Sequence, residues 1–76
     1  MTLEGYTDEL RGLAVGASLC KHARVPLSRR VVLDTFRRAV TAANAKVSGT
    51  FSAQTLDAVS PDHRYAVRVI VTTRIA

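Results

Sequence analysis

Apolar residues recur at helical spacing early in the chain, at Leu10, Leu13, Ala14, Ala17 and Cys20. Thr7 precedes them as a cap, with Asp8 and Glu9 in what would be the first turn. Gly12 and Gly16 lie inside this pattern and weaken it, so a break near Gly16 would leave two short helices instead of one. Lys21 and His22 then fall in the last turn, where positive charge is favoured. "ARVPLS" reads as a connection: Pro26 disfavours a helical Val25, and Ser28 is a good cap for a second helix.

The strongest helical pattern runs over 29–45. At about 100° per residue, Val32, Phe36, Ala39, Val40 and Ala43 form one stripe, with Leu33 at its edge. Arg30, Asp34, Arg37, Thr41 and Asn44 fall opposite, flanked by Arg38. Beyond this helix the period changes to two. "KVSGTFSAQT" has the alternation and β-branching of a strand, with Val47, Phe51 and Ala53 on one face. "LDAVSPDH" ends as a turn around Pro61 and Asp62. "RYAVRVIVTTRI" is the clearest strand. Tyr65, Val67, Val69 and Val71 lie on one face; Ala66, Arg68, Ile70, Thr72 and Arg74 lie on the other, which reads as partly wet. The pattern predicts an α+β fold, two helical segments followed by an antiparallel β-hairpin, in a single small domain spanning 1–76. Its expected core is Leu10, Leu13, Ala17, Val32, Phe36, Val40, Phe51, Val67 and Val69.

Composition narrows the class. At 76 residues the chain supports one domain with a small core, which a homodimer sharing core or sheet would enlarge. The single cysteine, Cys20, excludes an internal disulfide and fits a reducing compartment. No apolar run approaches the about 18 residues that a membrane span needs. "MTLEGYTDEL" lacks the basic and apolar regions of a signal peptide. The expectation is a cytoplasmic protein with no membrane partner.

The net charge of +5 is unevenly placed. Residues 1–20 carry −2, residues 21–46 carry +6, and residues 47–76 carry +1. The middle segment points to an anionic partner. The candidate binding residues are Arg24, Arg29, Arg30, Arg37, Arg38, Lys46 and Arg64.

Catalytic chemistry has little to build on. The glycines 12 and 16 sit in a helical pattern, not in a phosphate loop. Cys20 and His22 are two residues apart, so on a helix they would not face one another, and Cys20 on the apolar stripe is expected as a core thiol. Cys20, His22 and His63 lack the number and spacing of a zinc site. The expectation is a protein without enzymatic activity, metal or cofactor.

"LSRRVVLDTF" resembles the recognition-helix pattern of helix-turn-helix proteins, with Ser as cap, two polar residues, then Val32 and Phe36 turned to the core. With a hairpin after it, the stretch from residue 8 to 74 is similar to a winged helix. The resemblance implies a regulatory protein that binds nucleic acid, duplex DNA above all, with Arg29 and Arg30 at the helix's positive end meeting phosphate or a guanine edge. Against it, "ARVPLS" is longer than the usual turn, and Asp57 and Asp62 lie near the wing tip. The alternative is a small protein-binding inhibitor or adaptor, of the kind phages carry. It would dock an acidic surface through the same arginines, or add a partner strand at Arg64–Arg74.

Overall fold

A computed structural model describes residues 3 and 5–76. Helix α1 (Tyr6–Arg11) leads into strand β1 (Ser18–Pro26). A 3₁₀ turn (Leu27–Arg29) precedes helix α2 (Val32–Lys46), and strands β2 (Phe51–Val59) and β3 (Tyr65–Arg74) close the chain. The three strands form one antiparallel sheet in the order β1-β3-β2. The α+β class and the β2–β3 hairpin are as the pattern predicts; the third strand is not.

That strand comes from a segment whose apolar spacing is helical. The glycines decide the outcome. Helix α1 stops after Arg11 with Gly12 as its cap, and Gly16 sits at φ 89°, a backbone state that a side chain disfavours. Gly16 N–H donates to Arg74 O at 2.7 Å, which starts the pairing of the next residues with β3. From there Leu19, Lys21, Ala23 and Val25 alternate inward. Cys20 therefore lies exposed on a strand and is not a core thiol. Lys21 and His22 belong to β1, not to a helix end. Thr7 is not the cap of α1, a position held by Gly5 at φ 77°.

Helix α2 begins three residues later than its pattern suggests. "ARVPLS" divides between the end of β1 and the 3₁₀ turn, so Ser28 caps nothing in α2, and its cap position is Val31, with no side-chain hydrogen bond. Its buried residues are Leu33, Phe36 and Val40. The stripe is thus rotated about Phe36 from the expected one: Leu33 is central, while Val32 is 37% exposed.

These three side chains join Tyr6, Leu10, Ala23, Val25, Val47, Ala66 and Ile70 in the core. Of the expected core, Leu10, Phe36 and Val40 are buried, and Leu13 and Phe51 pack against its rim. Ala17, Val32, Val67 and Val69 are not part of it. The face of β3 turned to the helices is Ala66, Arg68, Ile70, Thr72 and Arg74, the opposite of the valine face. It reads as wet, yet each polar member has a partner. Arg68 reaches Asp34 and Asp57 at the rim. Arg74 Nη1 donates to Leu13 O at 2.8 Å.

Thr72 completes a buried ring of hydrogen bonds. Tyr6 Oη donates to Asn44 Oδ1 at 2.6 Å and lies 3.0 Å from Thr72 Oγ1, while Asn44 Nδ2 donates to Thr72 Oγ1 at 3.4 Å. The ring ties α1, α2 and β3 together. Val67, Val69 and Val71 lie on the other face, half-buried by neighbouring strands, with both helices on the far side of the sheet.

Candidate nucleic-acid interface

The distribution of partners among the basic residues defines the site. Arg11 pairs with Asp8 and Lys21 with Glu9. Arg68 is held by two carboxylates, and Arg74 by the carbonyls of Leu13 and Ala76. The other seven are Arg24, Arg29, Arg30, Arg37, Arg38, Lys46 and Arg64. All are exposed, and none makes a side-chain hydrogen bond or ion pair with another described residue.

The fold brings some of these seven together. Arg29 and Arg30 stand in and just after the 3₁₀ turn, ahead of the first turn of α2 and not within it. That position removes much of the conflict between two cations and the positive end of a helix. Leu27 N–H donates to Arg64 O at 2.8 Å, so the hairpin turn carrying Arg64 is fastened beside the same 3₁₀ turn. Arg37 follows Arg30 by seven residues and, with Arg38, continues the outer surface of α2. Lys46 ends the helix, about 24 Å from Arg30 at ~1.5 Å per residue.

Arg24 is not part of this surface. It projects from the sheet face away from the helices, where its guanidinium carbon stands 3.8 Å from the centre of the Tyr65 ring.

Arg68 sets the electrostatics of the helix surface. Its Nε and Nη2 meet the two oxygens of Asp57 at 2.7 and 2.9 Å, and its Nη1 meets Asp34 Oδ1 at 2.9 Å. Those bonds hold both carboxyls below the ordinary aspartate range, with Arg37 and Arg38 adding to the effect at Asp34. Asp34 therefore forms its hydrogen-bonded ion pair with a strand residue and not with Arg30 or Arg38, its neighbours at helical spacing. Local sequence holds no signal for this. Asp34 and Asp57 lie 34 and 11 residues from Arg68, and only the sheet and helix packing bring them together.

Near the tip, Asp62 accepts hydrogen bonds from the Ser60 hydroxyl and from Arg64 N–H. Those bonds hold its carboxyl low, with a smaller contribution from Arg24. Between the start of α2 and β2 lies an open groove of about 490 Å³, lined by apolar Leu27, Val31, Leu33 and Val59 together with Arg30 and the Arg68–Asp34–Asp57 group.

Cys20 and His22 share one face of β1, but no group of three metal-ligating side chains occurs among the described residues. Among the described residues, no helix is long and apolar enough to cross a membrane. The expected addition of a partner strand at Arg64–Arg74 is excluded, because β3 is the central strand and both its edges are paired. The chain matches no protein-family model, no curated protein and no solved structure.

Proposed function

We propose that the protein binds nucleic acid, duplex DNA in the first place, without catalysing a reaction. The contacts come from the surface formed by the 3₁₀ turn, the outer side of α2 and the hairpin turn. The observation that carries this reading is the set of exposed arginines on this surface with no ion pair to another described residue, beside carboxylates that Arg68 has already engaged. Phosphate binding by such a surface displaces condensed counterions and gives affinity without base preference. Arg29 and Arg30 lie in and just after the 3₁₀ turn, beside which the Arg64 backbone is fastened, so phosphate would be met there by guanidinium groups and not by the leading amides of α2, since Leu33 and Asp34 N–H already donate to Arg30 O and Val31 O. The order helix, strand, helix, hairpin supports a winged-helix-like use of α2. It departs from a helix-turn-helix in that a nine-residue strand and a 3₁₀ turn, not a partner helix and a short turn, present the basic helix.

The test is binding to duplex DNA, single-stranded DNA and RNA over a salt series. Each phosphate contact removed lowers the slope of log affinity on log salt by about one unit. Arg29→Ala and Arg30→Ala are expected to show that change, Arg37→Ala and Arg38→Ala a smaller one, and Arg24→Ala none. Absence of binding near physiological salt at micromolar protein refutes the reading.

The groove beside Arg30 favours one other reading, an inhibitor or adaptor that takes an acidic and apolar segment of a partner protein. That reading predicts a complex that survives nuclease and is lost in Val31→Asp.

A further inference from the structure

The two edges of the sheet differ in a way that bears on assembly. At the hairpin end, Ser60 N–H donates to Tyr65 O at 2.9 Å; at the other end, Ile75 N–H donates to Thr50 O at 2.7 Å. Antiparallel pairing alternates, so the even-numbered residues of β2 turn their backbone groups to β3. Phe51, Ala53, Thr55, Asp57 and Val59 turn theirs outward. For β1, Leu27 N–H donates to Arg64 O at 2.8 Å and Arg74 N–H to Ala17 O at 3.0 Å. Its outward residues are therefore Ser18, Cys20, His22, Arg24 and Pro26.

The β1 edge is blunted. Pro26 has no N–H to offer at an outward position, and Arg24 adds charge. The β2 edge has neither device. "FSAQTLDAV" contains no proline, glycine or basic residue, and its one charge, Asp57, is engaged by Arg68 of the same chain. Eight of its nine residues are exposed, including Leu56 at 54% and Val59 at 50%. Long, regular and bare, such an edge is a template for another strand.

We propose that this strand is β2 of a second copy, paired antiparallel about a two-fold axis at Thr55, so that two sheets become one of six strands. The sequence of β2 is compatible with itself in that register. Each outward residue meets an outward residue: Thr55 its own copy, Ala53 opposite Asp57, Phe51 opposite Val59. The full edge, about 30 Å at ~3.3 Å per residue, is then hydrogen-bonded. No like charges stand opposite one another, since each Asp57 faces an alanine. The axis runs perpendicular to the sheet, so both α2 helices lie on the same side. The pairing stands independently of what the arginines bind.

The test is the molar mass by sedimentation equilibrium from low to several hundred micromolar protein, with amide exchange followed by NMR. Wild type is expected to approach twice the 8.2 kDa chain mass. The amides of Ala53, Thr55 and Asp57 are expected to gain protection with concentration, while those of Gln54 and Leu56 stay protected throughout. Thr55→Lys and Thr55→Glu each place like charges on the axis and should be monomeric, with wild-type circular dichroism since the position is exposed. Mixed in equal amounts, the two variants should restore the dimer. A wild type that stays at one chain mass at the highest concentration overturns the proposal. So do single variants that dimerise as wild type does, or odd-numbered β2 amides indifferent to concentration.

Discussion

Tyr6→Phe tests the link between the first helix and the rest of the fold. The substitution keeps the ring, which is 1% exposed and packed in the core, and removes only the hydroxyl. That hydroxyl donates to Asn44 Oδ1 at 2.6 Å and sits 3.0 Å from Thr72 Oγ1, itself 1% exposed. Without it, Asn44 Oδ1 loses that donor at a half-buried position, and the buried Thr72 Oγ1 keeps only Asn44 Nδ2, at 3.4 Å. A buried polar group stranded in this way costs about 1–3 kcal/mol. In a domain of 60–100 residues each kcal/mol lowers Tm by about 4–8 °C. The expected fall is therefore ~5 to 20 °C, measured by thermal unfolding followed by circular dichroism. Tyr65→Phe is the control, because its hydroxyl makes no hydrogen bond with another described residue. Thr72→Val removes the opposite member of the ring. If the ring acts as a unit, the double variant loses less than the two single losses added, by on the order of 1 kcal/mol. A Tyr6→Phe protein that melts with wild type, or strict additivity with Thr72→Val, would show that the ring does not hold α1 in place.

The packing and the charges set further outcomes. Phe36→Ala, at a 3% exposed position, should cost about 3–5 kcal/mol and leave the chain largely unfolded, whereas Val32→Ala should stay within roughly 0.5 kcal/mol of wild type by denaturant titration. Cys20 should react with a thiol reagent in the native protein nearly as fast as in the unfolded one; slow native labelling would mean that the open sheet face is covered. Asp34 and Asp57 both have folded pKa values below the ordinary 3.8. Their contribution to stability is therefore present above that value and lost as pH falls through the folded values, and Asp57→Asn should flatten the acid limb of a stability–pH curve. A stability–pH curve for Asp57→Asn that parallels wild type below pH 4 would separate Arg68 from the acid response.

The sequence by itself determined the elements whose pattern is local. Helix 29–45 and the hairpin after it are readable because apolar residues repeat at 3.6 and at 2 within one segment; both are present, the helix three residues late at its start and the first hairpin strand shifted from 46–55 to Phe51–Val59. The basic middle segment was also legible, since charge density needs only composition and position; that Arg24 lies on the sheet face away from the helices was not. What the sequence left open was every choice between two self-consistent alternatives. Residues 18–26 carry helical apolar spacing and strand alternation at once; pairing with β3, begun at Gly16, selected the strand. On β3 both faces alternate cleanly, and the more hydrophobic one, Val67, Val69 and Val71, was the natural choice for the core. The structure chose the other because its polar members could all be satisfied at long range, Thr72 by Tyr6 and Asn44, Arg68 by Asp34 and Asp57. The Arg68 bonds also leave Arg30, Arg37 and Arg38 without an ion pair among the described residues. Periodicity records that a residue has two sides; which side is buried depends on partners that only the folded chain brings within reach.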